Sequence, residues 1–123
     1  MSIRCLVVDD DQDCANSMVR VLNLLGYAAR GSYSAAEALS VARQFKPHVA
    51  LIDIVMPYLD GFALVGLLGR ESCFRTVGLI ALTGLASKGD EKEALARGFD
   101  FHLRKPASSQ EVVATIRRAS LLR

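Results

Sequence analysis

The chain has 123 residues, which fits one domain able to bury about two-thirds of its unfolded surface. Apolar residues make up 51% of it, which argues against disorder. Its 15 basic and 13 acidic residues leave a net charge of +2, too even for a protein that binds nucleic acid by bulk charge. The three cysteines, Cys5, Cys14 and Cys73, contain no C-x-x-C spacing, so no disulfide framework or zinc site is expected, and a reducing cytoplasm fits best. No apolar run is long enough for a membrane span, and the N-terminus lacks the basic, apolar and small-residue regions of a signal peptide.

A first apolar run, Ile3–Val8, reads as a strand and runs directly into Asp9, Asp10 and Asp11, with Asp13 just beyond. Ala15, Met18, Val19, Leu22 and Leu25 then recur at helical spacing, and Gly26 supplies a stop. Tyr27–Ser32 is a weaker strand. Ser34 and Glu37 form a capping box for a second helix, which carries Ala38, Val41, Ala42 and Phe45 and ends before Pro47. His48 reads as a loop residue ahead of the strand Val49–Ile52, which ends at Asp53. The third helix, Gly61 to about Glu71, is apolar nearly all round and is weakened by Gly66 and Gly69. The strand Val77–Leu82 leads to Thr83. Ser87 is placed to cap the fourth helix, with Asp90 and Glu91 in its first turn. A last strand, Phe99–Arg104, leads to Lys105, and a second capping box, Ser108 with Glu111, opens the fifth helix.

This strand–helix alternation, five times over, predicts an α/β fold: a doubly wound (βα)5 parallel five-stranded sheet with helices on both faces. Such sheets bind ligands beyond the carboxyl ends of their strands, at the point where the winding reverses. For the order 2-1-3-4-5 that point lies between strands one and three. Asp9 and Asp10 follow strand one, Asp53 strand three, Thr83 strand four and Lys105 strand five. Three carboxylates that would otherwise repel one another can share a hard divalent cation, and Mg²⁺ takes oxygen ligands beside phosphate. Lys105 adds a second positive charge and Thr83 a hydroxyl donor, which together suit a phosphoryl group in transfer. Asp53, on the central strand, is the natural nucleophile for an aspartyl-phosphate. Taken singly, each residue has a commoner reading, Thr83 as a turn cap with Gly84 and Lys105 as a solvated lysine. Asp11 and Asp13 are assigned to helix capping and turn formation. The agreement of four strand ends on one chemistry carries the inference.

On these residues the chain resembles the receiver domain of two-component response regulators, a CheY-like, flavodoxin-like fold. "LVVDDD" matches the family's first-strand acidic pair at Asp9 and Asp10. "ALIDIVMPYLDGF" matches the strand-three motif around Asp53, "IALTG" places Thr83, and "LRKP" places Lys105. The resemblance spans nearly the whole chain, which is read as a single receiver domain over residues 1–123 without an output domain. It implies that Asp53 accepts the phosphoryl group. Asp10 and Asp53 would bind Mg²⁺ directly, Asp9 largely through water, and the backbone carbonyl of Val55 would complete the protein ligands. It implies that Lys105 pairs with Asp53 and then with the phosphoryl group, that Thr83 swings toward that group, and that the Lys105–Pro106 bond is cis. The donor would be a phosphohistidine on a histidine kinase or histidine phosphotransfer protein. Slow self-dephosphorylation would be tuned at Val55 and Leu85. The face from helix four through strand five to helix five, roughly Ser87 to Ser120, would signal to a downstream protein, without direct contact to nucleic acid. One position departs from the pattern. The switch residue, usually Tyr or Phe, is His102, and "FDFHLRKP" resembles receivers attached to hybrid histidine kinases. Here His102 is either a switch residue or a partly exposed surface histidine.

Two other functions compete. A phosphatase of the haloacid dehalogenase type also uses Asp, Thr, Lys and Mg²⁺, but it needs a second Asp two residues after the nucleophile, where this chain has Val55. A receiver fold kept only as a phosphorylation-independent binding module commonly loses an acidic or phosphoacceptor residue, and this chain has lost none.

Overall fold

A computed structural model describes residues 2–54, 61–70, 76–84 and 88–121, with the backbone alone at 61, 62 and 88–91. The strands are β1 (Arg4–Val8), β2 (Ala28–Ser32), β3 (Val49–Asp53), β4 (Gly78–Thr83) and β5 (Phe101–Arg104). The helices are α1 (Gln12–Leu24), α2 (Ala35–Phe45), α3 (Gly61–Leu68), α4 (Lys88–Ala96) and α5 (Ser109–Leu121). All pairings are parallel, as the alternation predicts, and the sheet order is β2-β1-β3-β4-β5, the order expected for this fold class.

Strand alternation divides the core in two. Cys5, Val7, Leu51, Ile80 and Leu82 point to the face covered by α1 and α5, through Ala15, Leu22, Val112 and Ile116. Leu6, Val8, Ala50, Ile52 and Ala81 point to the face covered by α2, α3 and α4, through Ala38, Ala42, Leu64, Leu68 and Ala94. β1, β3 and β4 are buried on both faces, which explains their unbroken apolar sequence. Each large side chain so buried contributes about 1.5–3 kcal/mol. Cys5 is one of these core residues, and burial pushes its thiol up to about 12. Cys14 is exposed on α1, and Cys73 lies outside the described residues. α5 approaches β4 closely because Gly78 has no side chain: a Cβ there would lie 2.6 Å from the Ala119 carbonyl oxygen.

The predicted caps lie where local chemistry puts them. Asp11 caps α1, Ser34 Oγ accepts from the Glu37 amide at 3.1 Å, and Ser108 and Glu111 make both bonds of their box. Gly26, at φ +99°, follows the end of α1. α2 ends on Lys46 in the left-handed region, and Arg4 Nε donates to the carbonyls of Phe45 and Lys46 at 3.0 and 2.8 Å. Ser87 lies outside the described residues. Several boundaries shift. α3 stops at Leu68 rather than near Glu71, because Gly69, a poor helix former, occupies the next position and its amide closes the last turn on Val65. β5 begins at Phe101 rather than Phe99, because Asp100 meets Leu79 through its side chain as well as its backbone. β3 and β4 run one residue further than their apolar sequence, into Asp53 and Thr83.

Side chains also tie the sheet margins. His48 is in a loop, as expected, yet its Nδ1 accepts from the Arg4 amide at 2.9 Å, its own amide donates to the Arg4 carbonyl, and its carbonyl accepts from Gly78. It joins β1, β3 and β4 at their amino ends. On the far side, Asn23 Oδ1 of α1 accepts from the Ala29 amide of β2 at 2.8 Å. No helix among the described residues is long and apolar enough to cross a membrane.

Candidate functional site

The parallel order delivers the carboxyl ends of β1, β3, β4 and β5 to one edge of the sheet. Asp9, one residue beyond β1, is buried, and its amide donates to the Ser32 carbonyl of β2. Asp53 closes β3 and is mostly buried, whereas Asp10 is exposed. One carboxylate oxygen from each of Asp9, Asp10 and Asp53 lies within 4.8 Å of the others. This is a cluster able to coordinate a divalent metal: the donors are all hard, ionisable oxygens, and they span the margin between core and solvent.

Lys105 reaches the same cluster. Its Nζ donates to Asp9 Oδ2 at 2.9 Å and to Asp53 Oδ2 at 3.4 Å. Burial pulls the Lys105 pKa down, but the hydrogen bond to Asp9 and the charges of Asp53 and Asp9 outweigh it and raise the ammonium above its ordinary value. The Lys105 amide donates to the Thr83 carbonyl at 2.7 Å, which anchors the residue beside the end of β4. The Lys105–Pro106 bond is cis, as the resemblance implies.

Thr83 is buried at the end of β4, with Arg104 as its register partner on β5. Its hydroxyl donates to the Leu103 carbonyl at 3.3 Å, so it engages the backbone of β5. His102 is half-buried on β5, paired in register with Ala81, and alternation puts it on the same face as Thr83. Asp11 and Asp13 stay out of the cluster, Asp11 as N-cap and Asp13 in the first turn of α1. Val55 and Leu85 lie outside the described residues.

Two features escaped sequence reasoning. Asp11 donates its amide to Asp9 Oδ1 at 3.0 Å, an Asx turn within the acidic run. A groove of about 790 Å³ runs between α1 and α5 from Asp9 and Lys105, over Met18, Val21, Pro106 and Val112. The apolar periodicity of α1 shows only in retrospect that one edge of that helix stays uncovered.

The chain as a whole is similar to known proteins. A family model of the response regulator receiver domain matches residues 5–117. The chain is 37% identical over 116 residues to the transcriptional regulatory protein PrrA of Mycobacterium tuberculosis, covering 94% of this chain and 49% of that protein. It is 34% identical over 116 residues to an uncharacterized 14.6 kDa protein in the sodA1 3' region of Leptolyngbya boryana, covering 94% of this chain and 88% of that protein. The solved receiver domain of the Francisella response regulator 1452 superposes with a TM-score of 0.85 at 30% identity, covering 98% of each chain. The chain spans about half the length of most of the curated relatives it matches, PrrA among them. The family match over nearly the whole sequence, the 2-1-3-4-5 sheet and the Asp9, Asp10 and Asp53 cluster agree, and the chain belongs to the receiver domain family of two-component response regulators.

Proposed function

We propose that residues 1–123 form a single receiver domain, working in the cytoplasm, that takes a phosphoryl group from a phosphohistidine onto Asp53. The convergence of three carboxylates and the Lys105 ammonium on one strand edge carries this reading. The donor is a histidine kinase or a histidine phosphotransfer protein. An Asp53 oxygen attacks phosphorus, an O–P bond forms as the P–N bond breaks, and the imidazole nitrogen leaves with the electron pair and takes a proton from solvent. Lys105 follows the oxygens of the incoming group, and Thr83 leaves Leu103 to donate to one of them.

Asp10 and Asp53 would hold Mg²⁺ directly, with the Val55 carbonyl as the third protein ligand that the resemblance implies. Asp9, whose oxygens also accept from Lys105 and the Asp11 amide, would act largely through water, as the resemblance implies. Bound Mg²⁺ supplies positive charge against the carboxylates and the phosphoryl oxygens. The phosphorylated state changes the α4–β5–α5 face, with His102 on the same sheet face as Thr83, and so changes the affinity for a downstream protein. Slow self-dephosphorylation resets the domain. Intact mass after incubation with Mg²⁺ and a small-molecule phosphodonor tests the reading. One labile phosphoryl adduct on the native chain, dependent on Mg²⁺ and absent from Asp53→Asn, is expected. An adduct of equal yield on Asp53→Asn would overturn the assignment of the acceptor.

A further inference from the structure

Asp11 joins β1 to α1 with its backbone and its side chain together. Its side chain accepts from the amides of Asp13 and Cys14 at 3.0 and 3.2 Å, and its carbonyl accepts from the Ala15 amide at 3.0 Å. These bonds hold its backbone extended, at φ −80° and ψ 106°. In that conformation its amide meets Asp9 Oδ1 at 3.0 Å, while the other Asp9 oxygen takes the Lys105 ammonium at 2.9 Å. A carboxylate held at one oxygen by a fixed amide cannot turn without losing a bond, so the cap controls where Oδ2, and with it Lys105, can lie. Asp10, between the two, has its backbone fixed from both sides.

We propose that Asp11 is a positioning residue of the phosphoryl site: by capping α1 it fixes the Asp9–Asp11 turn and thereby aims the Asp9 carboxylate and the Lys105 ammonium. This deepens, and rests on, the reading of Asp9, Asp10 and Asp53 as an Mg²⁺ site. A cap that only closed its helix would cost stability on removal and nothing else. A cap that orients a metal-binding carboxylate also sets metal affinity, and loss of such orienting groups typically weakens binding about 10–100-fold.

The test is titration calorimetry with Mg²⁺ on the intact wild-type chain and on Asp11→Ala, Asp11→Asn and Ser34→Ala. Asn keeps a capping oxygen and drops the charge, and Ser34→Ala removes the cap of α2, away from the site. Asp11→Ala is expected to bind Mg²⁺ about tenfold more weakly. Asp11→Asn should stay within about twofold of wild type, since Asn and Asp cap almost equally well, and Ser34→Ala should match wild type. The Lys105 ammonium resonance should move toward that of a free lysine in Asp11→Ala alone. Should that variant fail to fold, Asp11→Gly, which lacks the capping oxygen at smaller cost to the helix, carries the same expectation. Wild-type affinity in Asp11→Ala, or an Asn variant as weak as the Ala variant, would overturn the proposal. Absence of Mg²⁺ binding by the wild type would overturn the underlying site as well.

Discussion

The Lys105 ammonium lies nearer to Asp9, at 2.9 Å, than to Asp53, at 3.4 Å. The Asp9 side chain is only 3% exposed, so Lys105 is the cation that makes burial of this carboxylate tolerable. Lys105→Met should therefore destabilise the fold by about 1–3 kcal/mol in chelator, the cost of a buried polar group stripped of its partner. Added Mg²⁺ should recover much of that loss. Urea denaturation with and without Mg²⁺ measures both. Because the Lys105 pKa is raised, the contribution of the pair is complete below the ordinary lysine value and disappears as pH climbs through the folded one. The native chain should lose that contribution only in strong alkali, and Lys105→Met should lack the transition.

Thr83 is tethered to the backbone of β5. Thr83→Val keeps the bulk and removes the donor, so it should cost about 1 kcal/mol and still permit the phosphoryl adduct. In that variant the amide resonances of β5 should no longer respond to phosphorylation. His102→Ala should leave adduct formation unchanged and alter capture of the downstream protein. If neither quantity moves, His102 has no part in switching.

His48 carries an acid-side dependence. Burial, aided by the nearby Arg4 charge, holds its pKa below the ordinary histidine value, and its Nδ1 must stay unprotonated to accept from the Arg4 amide. The neutral form is thus the native one. Its contribution is present above the unfolded value of about 6.5 and is lost as pH falls through the lower folded value. The difference in denaturation midpoint between wild type and His48→Asn, whose side-chain oxygen can still accept, should change between pH 7.5 and pH 5. A constant difference would count against this role.

Gly78 and Gly66 predict opposite outcomes for the same substitution. An added Cβ at Gly78 would meet Ala119 O at 2.6 Å and Ala119 Cβ at 2.9 Å, and a helix backbone cannot step aside cheaply. Gly78→Ala should destabilise by about 1–3 kcal/mol. At Gly66, inside α3, an added Cβ would meet no described residue within 4 Å outside its own helix turn, and Gly66→Ala should stabilise by about 0.5–1 kcal/mol. Equal effects in urea denaturation would contradict the packing described for α5.

What was legible in the sequence was local. Ser34, Ser108 and Gly26 announce helix ends because a cap involves only a few neighbouring residues. The apolar runs of β1, β3 and β4 announce buried central strands, and the polar residue after each strand marks the binding edge. Illegible were the contacts that join distant residues through their backbones. His48 and Arg4 are 44 positions apart, and no periodicity links them. Asp100 trims β5 by turning its side chain to Leu79. The Asp11 carboxylate reads as an ordinary cap, which it is; its amide on Asp9 is a local Asx turn, but the sequence does not show that the same Asp9 carboxylate also meets Lys105, 96 positions on. Val55 and Leu85, expected from the resemblance to tune dephosphorylation, lie outside the described residues.

The Asn23 side chain on α1, hydrogen-bonded to the Ala29 amide, bears on how the molecule behaves in a crowd. β2 is an outer strand, and its Ala28 amide already faces inward to Ile3. The Ala29 amide therefore faces outward, where an extended segment of another chain would dock. Asn23 occupies that donor at 2.8 Å and denies it to a neighbour. The same helix that carries the acidic turn at its start thus covers, near its end, one outward donor of the sheet's open margin, where strand-to-strand pairing with another chain would begin.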